Sequence, residues 1–157
     1  MEFETDPVIT WHAGLDPGDA AQLRRCEAPI DALVQPSCLA LMRRVQWGGR
    51  QDRLASLAMI LAHVKQNTNR PIMRACGRER WGDEGSLLSS NRFNRIITTD
   101  EFEGLTQQLV RLVHLLDGVV RVDELAEAVR YWPSDQVRRR WAADFYAYRP
   151  PSDESSP

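Results

Sequence analysis

Gln51-Asp52-Arg53-Leu54-Ala55-Ser56-Leu57-Ala58-Met59-Ile60-Leu61-Ala62-His63-Val64-Lys65-Gln66 is the stretch that decides the fold. Leu54, Leu57, Ala58, Leu61 and Val64 recur at steps of three and four residues, the spacing of one face of an α-helix. A helix over 51–66 with this stripe turned to a core is expected. Upstream, Asp16-Pro17-Gly18 reads as a helix start, a cap followed by proline in the first turn. Ser37 can cap a second helix carrying Leu39, Met42 and Val45, ended by Gly48-Gly49. Downstream, helicity resumes near Ser89 with Phe93, Ile96 and Ile97. Asp100 with Glu103 resembles a capping box for a helix with Phe102, Leu105, Leu109, Leu112 and Leu116 on one face. Asp123 is expected to cap a helix with Leu125, Val129 and Trp132 inward, and Ser134 one with Val137, Trp141, Phe145 and Tyr148 inward.

Between these halves the pattern breaks. Residues 67–85 hold Asn69, Pro71, Gly77, Gly82, Gly85 and four arginines, which reads as a long, basic, mobile loop. Val119-Val120-Arg121-Val122 is the one candidate strand and reads as a connection. The expectation is an all-α protein of two small helical bundles joined by a basic loop. Its units are an N-terminal bundle over 7–66, a linker over 67–88 and a C-terminal bundle over 89–149. Disordered tails are expected at 1–6 and 150–157.

The chain has 157 residues, long enough for a self-sufficient core. No apolar run reaches membrane-span length, and the acidic start, Met1 to Asp6, is unlike a secretory signal. Cys26, Cys38 and Cys76 form no C-x-x-C pair, which suits structural thiols in a reducing cytosol. A cytoplasmic location is expected.

Net charge is −2, but its distribution is uneven. Asp19 to Arg95 carries 13 bases against 7 acids; Asp100 to Asp135 carries 8 acids against 3 bases. Of 20 basic residues, 19 are arginine, whose planar fork suits bidentate phosphate contacts. A GC-rich genome would equally produce the arginine-to-lysine ratio, though not the clustering. Arg24-Arg25 and Arg43-Arg44 diverge around their helices, whereas Arg92 and Arg95, and Arg50 and Arg53, stand three apart and share a face. Such groups neutralise phosphates without reading sequence; a solvated, salt-bridged surface is the alternative for each.

Catalytic signatures are missing. His12, His63 and His114 match no metal spacing, and the latter two read as packing or surface residues beside apolar stripes. Gly82-Asp83-Glu84-Gly85-Ser86 lacks the lysine of a phosphate loop. Asp52, Asp83, Glu84, Asp123 and Glu124 fall at no recognisable metal spacing. No catalytic residue, metal, cofactor or small-molecule substrate is expected. Trp47 and Trp81 each adjoin glycine near basic residues, placed either to stack bases or anchor a partner, or to pack under loops.

Three blocks, in order, resemble a known family. The first is Trp11-x3-Leu15, Gly18-x-Ala20 and Leu23-Arg24-Arg25. The second is Ser90-x-Arg92-Phe93-x-Arg95-Ile96-Ile97, with Leu109-x-Arg111-Leu112 running on to Leu116. The third is Val122-Asp123, Leu125, Tyr131-Trp132 and Arg140-Trp141-Ala142-x-Asp144-Phe145-Tyr146. Together they resemble the CasB family, the small subunit of the type I-E CRISPR surveillance complex Cascade. The resemblance implies an all-α, non-catalytic subunit present in two copies. It implies contacts with the Cascade backbone subunits, the large subunit and a second copy of itself. It also implies a basic surface that supports the guide RNA–target DNA hybrid and holds the displaced strand of the R-loop. Carried over by position, Arg24, Arg25, Arg92, Arg95, Arg111, Arg139 and Arg140 would face nucleic acid; the helical spacing adds Arg50 and Arg53. The 67–85 loop does not align with the family pattern. A free-standing helical DNA-binding regulator is the alternative, with the segment around Arg92 its one candidate recognition helix. A metal-dependent nuclease would need a carboxylate cluster that the sequence does not display.

Overall fold

The computed structural model describes residues 6–151, which form ten α-helices and one two-residue strand pair. In chain order these are α1 (Asp6–Ala13), α2 (Pro17–Arg24), α3 (Pro29–Leu33), α4 (Pro36–Arg44), α5 (Gln51–Leu61), β1 (Gln66–Asn67), α6 (Ile72–Cys76), α7 (Ser90–Ile97), α8 (Phe102–Leu115), β2 (Val119–Val120), α9 (Val122–Tyr131) and α10 (Asp135–Phe145). The all-α expectation holds. The expected tails lie outside the described residues except for Asp6, which opens α1, and Pro150 and Pro151.

Helix α5 is the centre. Every residue from Leu54 to Leu61 is buried, Ser56 included. A single inward stripe was expected; a helix this apolar is instead enclosed on all sides. It packs against α3 and α4, and also α8 and α9, while α1 packs on α9. The buried residues of both halves belong to one apolar cluster, from Val8 to Phe145. That cluster bridges the expected division between 7–66 and 89–149.

Helix starts with short oxygen-bearing side chains are where the sequence put them. Asp16 Oδ2 accepts from Gly18 N at 2.9 Å, Ser89 Oγ from Arg92 N at 3.2 Å and Ser134 Oγ from Val137 N at 3.4 Å. Three other expected caps are corrected. Ser37 lies inside α4, buried, and its carbonyl accepts from Trp11 Nε1 at 2.9 Å; Pro36 starts the helix instead. Asp100 does not cap α8, whose N-cap is Glu101; its carboxylate stands 3.8 Å from Arg138. Asp123 pairs with Arg121 at 2.7 Å, and Asn67 Oδ1 takes the first α9 amide, Val122, at 2.9 Å. At Asp123 the Arg121 guanidinium takes the carboxylate by two hydrogen bonds. Two inward assignments also change: Leu39 and Tyr148 are exposed.

The segment read as a mobile loop contains α6. Ile72, Met73 and Cys76 are buried, and α6 packs on α10. The four arginines and three glycines around it masked a one-sided apolar turn. Gly77 permits a close approach: a Cβ there would sit 2.3 Å from the Phe145 carbonyl oxygen, which accepts from Arg78 N at 2.7 Å. The Val119 region is likewise more than a connection, because β2 pairs in parallel with β1. At its start Gly118 has φ +79°, and a Cβ would meet Lys65 Cγ at 2.8 Å.

The aromatic residues close the core between α7 and α10. Phe93 stacks on Phe145 at 4.1 Å, and Trp132 leans on Trp141 at 5.6 Å. Cys38 and Cys76 are buried free thiols, pushed up to about 11 and about 12 by burial, so they stay protonated and inert.

Glu124 is a buried carboxylate whose Oε1 accepts from Ile72 N at 2.6 Å, tying α9 to α6. Burial pushes its pKa up, against the opposing pull of that hydrogen bond and of Arg140. A raised folded-state pKa means stability that is complete below the ordinary value of 4.5 and is lost as pH rises through the folded value. Glu124→Gln is therefore expected to remove this pH dependence while keeping an acceptor for Ile72. Glu124→Ala is expected to cost about 1–3 kcal/mol by orphaning that amide. Urea unfolding between mildly acidic and neutral pH checks both.

Candidate nucleic-acid interface

Helix α7 buries Phe93 and Ile96. At 100° per residue, Arg92 and Arg95, each one position earlier, flank that stripe on the same side. Helix α8 buries Leu109, Leu112 and Val113 and carries Arg111 beside them. The two helices enclose a cleft of about 220 Å³, floored by Leu88, Ile96, Leu112 and Leu115 and rimmed by Arg92, Arg95, Arg111 and Gln108. No carboxylate lines it. All three arginines are exposed, and none has a side-chain hydrogen bond or ion pair among the described residues. The sequence named them separately; the fold brings them together.

The other arginines are sorted differently. Arg53 Nη1 donates to the carbonyls of Trp132 at 2.6 Å and Val129 at 3.3 Å, and its guanidinium lies 4.5 Å over the Phe102 ring. Burial lowers its pKa. Arg50 Nη1 donates to the Arg130 carbonyl at 3.2 Å. Both seal the end of α9 and stand away from the α7–α8 cleft, because Phe102 and Arg111 are nine residues apart on one helix, about 13 Å. Arg140 is paired with Glu127, and Arg138 Nε donates to the Ile97 carbonyl at 2.8 Å. Arg139 and Arg25 are exposed with no side-chain partner among the described residues. Arg24 Nη1 donates to the Ala62 carbonyl at 3.0 Å and does not line the α7–α8 cleft.

The tryptophans also separate. Trp47 is buried, with Arg130 5.4 Å over its ring and Arg130 Nη1 donating to its carbonyl at 2.8 Å. Trp81 is 67% exposed and meets Tyr148 edge-on at 5.4 Å.

Sequence reading missed one convergence. His114 Nε2 lies 3.1 Å from His63 Nδ1, rings edge-to-face at 4.9 Å. His12 Nε2 donates to the Val64 carbonyl at 2.7 Å. All three histidines of the chain, with Arg24 and Lys65, line one cleft of about 580 Å³. The only available signal was the three-residue step from Arg111 to His114; the fold supplies the rest. Burial, then His114 and Arg24, hold the His63 imidazole below its ordinary pKa. Among the described residues no group of three or more His, Cys, Asp or Glu could hold a metal ion, and no helix is long and apolar enough to cross a membrane.

The fold and the site define a small helical protein with an acid-free, arginine-rimmed cleft. Residues 19–146 match the family model described as CRISPR-associated protein Cse2, and the chain belongs to that family, the small-subunit family its motifs resemble. The fold is similar to a chain in a crystal structure of E. coli Cascade bound to a PAM-containing double-stranded DNA target. The TM-score is 0.68 and identity 21%, over 94% of this chain and 97% of that one. No curated protein matches the chain in sequence.

The two classes of arginine are expected to differ in stability. Arg53→Ala should lower unfolding free energy by about 1–3 kcal/mol, because it removes two carbonyl bonds and uncovers Phe102. Arg111→Ala should stay within about 0.5 kcal/mol. Urea unfolding of the two variants side by side distinguishes them.

Proposed function

We propose that this chain is the non-catalytic small subunit of a type I-E Cascade complex and that it holds nucleic acid without reading sequence. The observation that carries this is the convergence of Arg92, Arg95 and Arg111, all unpartnered by protein, on one acid-free cleft. Guanidinium groups left without internal partners are free to donate to the phosphates of a strand. Family membership supports the assembly: Cascade backbone subunits, the large subunit and a second copy are its partners, with guide RNA and target DNA as the ligands.

The physics suits that task. R-loop formation is a near-balanced exchange of one duplex for another, so a few phosphate contacts to the displaced strand tip it. A sequence-independent grip is needed, because every guide addresses a different target. Helix α7 does not resemble a recognition helix of a regulator: it is eight residues long and turns its arginines into a cleft shared with α8.

Cascade reconstituted with the Arg92→Ala, Arg95→Ala, Arg111→Ala chain tests the reading by R-loop stability across a salt series. Each lost phosphate contact on a single strand should reduce the slope of log affinity against log salt by about 0.7, so the triple variant should lose about 2. Equal slopes and equal R-loop lifetimes would overturn it.

A further inference from the structure

The histidine cleft shares only Arg24 with the residues that the family resemblance singles out, and its composition is unusual. It is formed by α1, α2, the turn after α5, and α8. His12 faces it from α1, Arg24 from α2, His63 and Lys65 from the turn, and His114 from α8. Five side chains there can carry positive charge and none can carry negative charge. Their polar atoms are incompletely used. Arg24 spends one N–H on Ala62, and Lys65 Nζ has no partner among the described residues. The His63–His114 contact leaves His63 Nε2 and His114 Nδ1 over.

The cleft also adjoins the first one. Arg111 and His114 are three residues apart on α8, so their side chains leave neighbouring positions about 5–6 Å apart. Leu115, in the floor of the arginine cleft, follows His114 directly. The two clefts thus meet along α8 through Arg111 and His114, although no residue lines both.

We propose that the cleft of His12, Arg24, His63, Lys65 and His114 is a second phosphodiester site, continuous with the arginine cleft, in which the His63–His114 pair supplies a titratable grip. Arg24 and Lys65 provide the fixed charge. One imidazole of the pair donates to the other while both are neutral, and that hydrogen bond cannot survive when both are protonated. A phosphate oxygen that accepts from His63 Nε2 or His114 Nδ1 stabilises the protonated ring, so binding and protonation favour each other. Nucleic-acid affinity therefore rises as pH falls. His12 is held with its Nε2 proton on the Val64 carbonyl and contributes charge only when its second nitrogen is protonated. No carboxylate in the lining opposes this direction. The inference rests on the nucleic-acid reading above but uses residues that reading does not need.

The test uses the full chain and a fluorescent short oligothymidylate, whose phosphodiesters do not titrate in this range. Between about pH 8 and about pH 5.5 at fixed ionic strength, wild-type affinity should rise about threefold to tenfold, the gain of up to one pKa unit on the pair. The His63→Gln, His114→Gln variant should lose most of that rise. The arginine triple variant should bind more weakly at every pH and keep the rise. A double-histidine variant that titrates like wild type overturns the site and leaves the arginine reading standing. An arginine variant that binds like wild type overturns the reading instead. Proton NMR guards against misfolding of the histidine variant. The chain has three histidines, so their ring resonances are few, and the oligonucleotide should raise the titration midpoints of His63 and His114 in wild-type protein. Unmoved midpoints at saturation would contradict the site independently.

Discussion

The enclosure of α5 on all sides is the constraint on which the rest depends. Eight consecutive buried residues, Leu54 to Leu61, leave this helix no solvent face. Helices from both ends of the sequence must therefore surround it, and a core shared by the two halves follows. The ends of α5 then have fixed tasks. At its start Arg50 and Arg53 emerge beside the last turn of α9 and satisfy carbonyls that would otherwise be left open. At its end the chain turns sharply, presenting His63 to His114 and Lys65 to Gly118.

Most helices were legible because their apolar spacing was regular, and three of them also because their caps were short oxygen-bearing side chains with no competitor. Asp16, Ser89 and Ser134 each had nothing better to bind than the amides two or three residues on. Asp123 failed as a cap because Arg121, two residues before it, took its carboxylate, and Asp100 because the α8 N-cap falls one residue later, at Glu101. Helix α6 was illegible for another reason. Its apolar signal is three side chains within five residues, too short to register as a period among the surrounding arginines and glycines. The all-round burial of α5 was readable in principle, since no charged residue stands between Arg53 and His63; following only one stripe understated it.

The candidate cleft was legible in its residue types but not in its membership. A guanidinium donates equally well to a phosphate and to a backbone carbonyl, so sequence alone could not separate Arg92 from Arg53. What separates them is whether a carbonyl-rich helix end lies within reach. Arg53 has the end of α9; Arg92, Arg95 and Arg111 have only one another and solvent. The histidines were harder still. His63 and His114 are 51 residues apart, and each alone looks like an ordinary residue at the edge of a stripe. Folding turns them into a pair with Arg24 and Lys65 beside them.

These assignments give the chain a division of labour: α5 and the aromatic layer hold the shape, the paired arginines lock helix ends, and the proposed reading gives the unpaired ones to phosphate. The most direct test of that division is ultraviolet cross-linking of the assembled complex on its target, with the attachment sites in this chain mapped by mass spectrometry. The account predicts nucleotide adducts in peptides from α7 and α8, spanning Arg92 to His114. Adducts confined to α3, α4 or the Trp47 region, with none on α7 or α8, would contradict it.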